Sequence, residues 1–226
     1  MNGIIIIDKP TGMTSHDVVN RIRRISGVKR VGHGGTLDPL ASGVLPILVG
    51  SATKLSQKIM DGDKEYIAGI TFGKATDTDD SLGKVIREGP IPWDILERIK
   101  AVLPGFLGRI EQIPPQYSAI KTNGRPAYKE ARMGGRVELK PRTVTVHQMD
   151  LIEGDLETFL FRVKCSKGTY IRALARDIGM TIGCPAHISS LRRTRCGQFS
   201  EDAAHPLEKL STLQDLSHML GTPKLL

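Results

Sequence analysis

The sequence predicts a mixed α/β chain of the α+β type, on three observations. Apolar or alternating runs of strand length recur along it, amphipathic helical runs separate them, and neither a tandem repeat nor a low-complexity linker marks a domain boundary. At 226 residues and 39% hydrophobic content the chain can bury a core of its own, so residues 1–226 are expected to form one domain.

The elements follow in order. "GIIIID" at 3–8 is a continuous apolar run and predicts a buried strand. "SHDVVNRIRRIS" places Val18, Val19, Ile22 and Ile25 on one helical face, with Ser15 as the expected N-cap and Asp17 in the first turn. "GVLPILVG" predicts a second buried strand and "SATKLSQKIMDGD" a short helix stopped at Gly62. "EYIAGITFG" alternates at period two, with Tyr66, Ala68, Ile70 and Phe72 on one face. "PWDILERIKAVLPG" carries proline near its start and Gly105 past its end, the usual asymmetry of a helix. "TVTVHQMDL" and "TFLFRVKCS" predict strands, "YIRALARDIGM" a helix, "HISSLRRTRCGQF" a further strand, and "HPLEKLSTLQDLSHML" one closing amphipathic helix.

Charge is gathered rather than spread. The 32 Lys and Arg against 24 Asp and Glu leave a net charge of +8, which favours a polyanionic partner. Residues 119–142 hold seven basic and two acidic side chains with three glycines and two prolines, and read as a basic excursion from the fold. Residues 162–195 hold eight basic residues against one acid. Cys165, Cys184 and Cys196 are odd in number and form no Cys-x-x-Cys pair, which argues against a zinc knuckle or disulfide framework and for a reducing compartment. The N-terminal apolar run is unlike a signal peptide and no stretch approaches ~18 apolar residues, so a cytoplasmic protein with no membrane partner is expected.

Several familiar sites nearly appear. "GVKRVGHG" has the glycine interval of a phosphate loop, but His33 and Gly34 stand where lysine and Ser/Thr are needed. "DTDDSLGKVIRE" spaces its acids like a calcium loop, yet Leu82 occupies the position that needs glycine, and a solvated turn is the expected reading. The histidines show no metal-ligand interval, and no metal or organic cofactor is expected. What remains is Asp38 in "GHGGTLDPLASG". An acid before proline is most simply a turn former, while Gly32, Gly34 and Gly35 permit another backbone to approach closely.

Taken together, "GIIIIDKPTGMTSHDVV", "GHGGTLDPLASGVLPILVGSATKLS", "DKEYIAGITFGKATDTDDSLGKV", "PPQYSAIKTNGRPAYKEARMGG", "CSKGTYIRALARDIG" and "LRRTRCGQF" resemble the TruB-type tRNA pseudouridine synthases. Those enzymes isomerise uridine 55 in the T arm of tRNA. The resemblance runs through about the first 200 residues. It implies the pseudouridine synthase fold, a mixed, largely antiparallel sheet with flanking helices and a central catalytic cleft, and chemistry that needs no cofactor. It implies Asp38 as the catalytic acid, Arg172 as its ion-pair partner, and Tyr66 as the ring that stacks on the extruded base. Tyr170 and Leu191 match positions lining the pocket, and His33 matches the histidine that supports the RNA stack. In the family a mobile loop clamps the T arm. The basic segment 119–142 fits it, with Lys121, Arg125, Arg132, Arg136 and Arg142 as expected phosphate contacts, joined by Arg192 and Arg193.

Two departures stand out. Family members more often have threonine at the position of Gly34, a change expected to loosen the loop carrying His33. Many members also continue into a small C-terminal RNA-binding module, whereas this chain ends at "GTPKLL", so weaker tRNA affinity with intact chemistry is expected. Two rival readings are a guide-dependent enzyme of the same superfamily working with partner proteins, and a non-catalytic RNA-binding protein on the same scaffold. The basic clamp segment speaks against the first, so no obligate protein partner is expected. The joint presence of Asp38, Tyr66 and Arg172 speaks against the second.

Overall fold

The computed structural model describes residues 1–118, 120–122, 125–133, 135 and 137–221. Along the chain come β1 (Gly3–Lys9), α1 (Ser15–Ser26), β2 (Val31–His33), β3 (Ser42–Val49), α2 (Ser56–Asp61), β4 (Lys64–Phe72), β5 (Lys74–Thr76) and β6 (Val85–Glu88). They are followed by α3 (Ile95–Val102), β7 (Gly108–Gln112), β8 (Lys121–Thr122), β9 (Arg125–Pro126), α4 (Ala127–Arg132), β10 (Arg142–Gly154) and β11 (Thr158–Cys165). The last elements are α5 (Ile171–Ile182), β12 (Ala186–Cys196), β13 (Phe199–Ser200), β14 (His205–Pro206) and α6 (Leu213–Met219). Contacts divide these elements between two compact units, Met1–Ile67 with Leu191–Leu226, and Ala68–Ser190, so the boundary falls inside β4 and β12.

In the first unit the strands run in the order β14, β1, β3, β12, with β2 also paired to β3 and β13 to β12. β1 and β3 are antiparallel in the register Ile5↔Ile47, and β3 meets β12 in parallel at Gly43↔Arg193. β1 is covered on both faces, as a continuous isoleucine run requires. Ile4 and Ile6 pack with Val44, Leu48, Ala52, Ile59 and Cys196, while Ile5 and Ile7 are also buried. α1 buries Val18, Val19 and Ile22. Its N-cap is Thr14 rather than the expected Ser15. The Thr14 hydroxyl accepts from Asp17 N and Asp17 answers to Thr14 N, whereas Ser15 is drawn inward by a bond to the 32–43 loop.

In the second unit the order is β4, β11, β10, β7, with β10 antiparallel to both neighbours. Ala68, Ile70 and Phe72 are buried as the alternation predicts, and Phe72 meets Phe159 edge to face at 5.8 Å. The closing helix is shorter than expected. Only Leu213–Met219 is helical, because Thr212 and Asp215 form a capping box that starts a new helix there, after a strand at His205–Pro206 and a single turn at Leu207–Lys209. No helix among the described residues is long and apolar enough to cross a membrane.

Candidate active site

In the first unit the loop between β2 and β3 carries Asp38, and its backbone is fixed residue by residue. Gly34 N donates to Pro46 O at 2.8 Å. The Ser15 hydroxyl takes both polar groups of the buried Leu37, accepting from its N at 2.8 Å and donating to its O at 3.0 Å. Asp38 O closes a turn with Ala41 N at 3.0 Å, and Pro39 O accepts from Gly12 N at 2.8 Å. The half-buried Asp38 is thus the head of a turn, as its place before proline implies, and the turn is tied on all sides.

The strongest tie is Arg193. The residue is 1% exposed, and its guanidinium donates to Val44 O at 2.8 Å, Gly35 O at 3.1 Å and Thr36 O at 3.2 Å. Gly43 makes the approach possible. It sits at φ 97°, and a Cβ there would run into the Arg193 carbonyl, so no larger residue fits the strand pair. The phosphate contact expected of Arg193 is therefore corrected: a side chain with its donors committed to three inner carbonyls is a brace for the Asp38 loop. Arg192, its neighbour on β12, points the other way, with two bonds of 3.0 Å to Asp8 and one of 2.9 Å to Glu201.

Lys9 completes this side of the site, and sequence reading missed it. It is fully buried at the end of β1, with Nζ donating to Pro10 O at 2.8 Å and Met13 O at 2.6 Å. Burial lowers its pKa to about 8, and the attraction of Asp38 works against that fall. His33 stands at the end of β2, where its Nδ1 accepts from Gly35 N at 3.3 Å. Burial, then the charges of Arg193 and His16, hold its pKa below the ordinary value, which favours the neutral ring. At Gly34, where a looser loop is expected, the surroundings are closely packed. Ile59 fills the space where a side chain would stand, with Ile59 Cγ2 only 2.5 Å from an added Cβ. Tyr66 and Leu191, on β4 and β12, are both buried in this unit, at 8% and 9% exposure.

The second unit holds Tyr170 and Arg172 at the start of α5. The buried Gln112 grips the Tyr170 backbone at both ends, accepting from its N at 2.8 Å and donating to its O at 3.1 Å. Arg172 is 4% exposed. It donates from Nη1 to Thr78 O at 2.7 Å and from Nη2 to Tyr117 O at 2.9 Å, and Nη1 lies 3.6 Å from Asp80 Oδ2. The turn expected to be solvated is exposed at Ser81, Leu82 and Lys84, but not at Asp80. Asp80 is 5% exposed and its carboxylate is held by the Thr78 hydroxyl and Leu82 N, because two arginines of α5 reach into the turn.

Of the expected phosphate contacts, Arg142 is exposed at the start of β10. Lys121, Arg125 and Arg132 lie on β8, β9 and α4, but their side chains fall outside the described residues, and so does all of Arg136. Asp38 and Tyr66 belong to one unit and Arg172 to the other. Among the described residues no three His, Cys, Asp or Glu side chains form a group able to hold a metal ion.

Comparison with known proteins gives consistent findings. The family model described as "TruB family pseudouridylate synthase (N terminal domain)" matches residues 23–171, and that of the "tRNA pseudouridylate synthase B C-terminal domain" matches residues 172–221. The chain is 49% identical over 211 residues to tRNA pseudouridine synthase B of Caldanaerobacter subterraneus subsp. tengcongensis, covering 93% of this chain and 74% of that one. It is 46% identical to the protein of the same name from Francisella tularensis subsp. novicida, with 94% and 71% coverage. Among solved structures, a chain of a Cbf5-Nop10-Gar1 complex superposes with a TM-score of 0.71 at 37% identity. The match covers 92% of this chain and 53% of that one, so this chain spans about half its length.

Proposed function

Because the chain belongs to the TruB family of pseudouridylate synthases, we propose that it converts uridine 55 in the T arm of tRNA to pseudouridine, with Asp38 as the group that acts on the nucleotide. The observation that carries this reading is the Asp38 turn itself. Asp38 sits on a loop whose backbone is held by Arg193, Ser15 and Pro46, with the buried Lys9 close enough to feel its charge, so the place from which its carboxyl acts is set before substrate arrives.

The reaction needs no outside reagent. The bond from N1 of uracil to C1′ of ribose breaks, the base turns, C5 joins C1′, the C5 proton leaves and N1 gains one. Asp38 serves either by attacking C1′ or by taking the C2′ proton to give a glycal. In this reading Arg172 pairs with Asp38 and compensates its charge, as the family resemblance implies. Flipping the target uridine out of its loop costs a few kcal/mol, and stacking on the ring of Tyr66 returns about 1–3 kcal/mol. Tyr170 and Leu191 line the pocket, and His33 supports the stack the base leaves. Lys121, Arg125, Arg132, Arg136, Arg142 and Arg192 remain the candidates for phosphate contact. The enzyme acts in the cytoplasm without an obligate protein partner.

The test is tritium release from C5 of labelled uridine in a T-arm transcript. Release by the wild type and its loss in Asp38→Asn, with tRNA binding kept, is the expected outcome. Undiminished release in that variant would end the role assigned to Asp38.

A further inference from the structure

Asp79 and Arg176 form a pair inside the second unit that the reaction as described leaves unused. Asp79 Oδ2 lies 2.9 Å from Arg176 Nη1, with the side chains 13% and 22% exposed. Asp79 is also the one non-glycine residue with positive φ among the described residues, at 61°. Aspartate tolerates that region better than most residues, but the conformation persists only where surroundings impose it.

The conformation has a consequence for Arg172. The carbonyl of Thr78 belongs to the peptide group that precedes Asp79, and the φ of Asp79 sets the direction in which that carbonyl points. It points to Arg172 Nη1, at 2.7 Å. Asp79 O is fixed in turn by Ile188 N at 3.0 Å. On the other side, Arg176 Nη2 donates to Ile113 O at 2.7 Å, while Arg172 Nη2 takes Tyr117 O. Pro114 and Pro115 stand between these two carbonyls and stiffen the link. Arg172 and Arg176 are four residues apart on α5, one turn along the same face. The two arginines therefore grip the same two segments at adjacent points.

We propose that Asp79 and Arg176 are a positioning pair for uridine isomerisation: they fix, one helical turn away, the two backbone segments whose carbonyls orient the Arg172 guanidinium. This rests on the reading of Arg172 as a member of the active site.

The experiment is single-turnover pseudouridine formation on a T-arm transcript by Arg176→Gln, Asp79→Asn, Arg172→Lys and the doubles with Arg172→Lys, with tRNA affinity and thermal melting measured alongside. Arg176→Gln is expected to slow the chemical step about 10- to 100-fold, as for a misplacement well under the size of an atom, with affinity changed less than about threefold. Arg176→Lys recovers part of the loss. In the Arg172→Lys background the same change costs less than about threefold, because the residue through which the pair acts has already been altered. Asp79→Asn, which tolerates the same φ, follows the same pattern and serves if Arg176→Gln does not fold. A full second penalty in the Arg172→Lys background overturns the proposal, as does an unchanged rate in a folded Arg176→Gln or a loss confined to affinity. An unchanged rate in Arg172→Lys itself overturns the underlying reading of Arg172 instead, so the two failures are told apart.

Discussion

Replacing Arg193 by methionine separates the two roles that an arginine beside an RNA site can have. Methionine keeps the buried stem and removes the three donors that serve Val44, Gly35 and Thr36. A buried carbonyl left without a partner costs about 1–3 kcal/mol, and relief from burying the cation offsets part of the sum, so a net loss of about 3 kcal/mol is expected. For a chain of this size that lowers Tm by about 6–12 °C. The Asp38 turn loses its main tie, and turnover falls about 10- to 100-fold. The decisive assay is tRNA affinity against salt. Removing a phosphate contact would flatten the plot of log K against log salt by about 0.7–0.9, whereas removing a brace leaves the slope as it was. A flattened slope with unchanged Tm and turnover would refute the reasoning and restore Arg193 to the phosphate.

Three further outcomes are expected. Gly34→Thr, which makes the chain more like its family, destabilises it by about 1–3 kcal/mol through overpacking against Ile59. In urea melts, combining it with Ile59→Ala gives a double variant more stable than the summed singles by at least about 1 kcal/mol, and strict additivity would count against the clash. Burial raises the Asp79 carboxyl to about 6 against the attraction of Arg176 and Arg172, with Asp177 adding to the rise, so the folded state holds its proton more readily than the unfolded chain. Its contribution to stability is full below pH ~4 and is lost as pH rises through about 6, by at most about 3 kcal/mol. Stability of Asp79→Asn relative to wild type should therefore improve between pH 4 and 6, and a fall across that window would contradict the sign. Nitrogen NMR should find His33 neutral at pH 7 as the Nε2–H tautomer, since its Nδ1 is occupied as an acceptor, and an imidazolium at that pH would contradict the geometry.

The sign at Asp79 bears on the positioning pair. Burial opposes the Asp79 charge and Arg176 compensates part of that cost, so the ion pair and the buried position act in opposite directions on stability.

The strands were legible because burial on both faces or on one leaves a direct trace in residue order, as in the isoleucines of β1 and the alternation of β4. The acid proposed to act on the nucleotide stood out only through the six motifs together, since an Asp-Pro turn alone says little. What the sequence concealed was direction. Arg192 and Arg193 looked alike as charges, yet neighbours on a strand face opposite ways, and that rule alone could have warned that one of them turns inward. Lys9 gave one signal, a lysine closing an apolar strand before proline. Asp80 gave none, because its burial depends on Arg172, 92 positions away in the numbering, and an acidic run reads as solvated until its partner is seen. The Thr14 cap was missed because two hydroxyls compete there and the inner loop claims the second.

The bolt that locks the Asp38 turn is threaded in late. Arg193 comes 158 and 157 positions after the carbonyls of Gly35 and Thr36. At a ribosome's pace of about 5–20 residues per second, some 8–30 seconds pass between the birth of that turn and the arrival of its fastener. Throughout that interval the newborn polypeptide carries the proposed catalytic acid on a slack hinge, and on that reading it becomes competent only after residue 193 has been made. A nascent chain halted before residue 193 should accordingly be cut by protease within residues 32–43, where the finished protein resists.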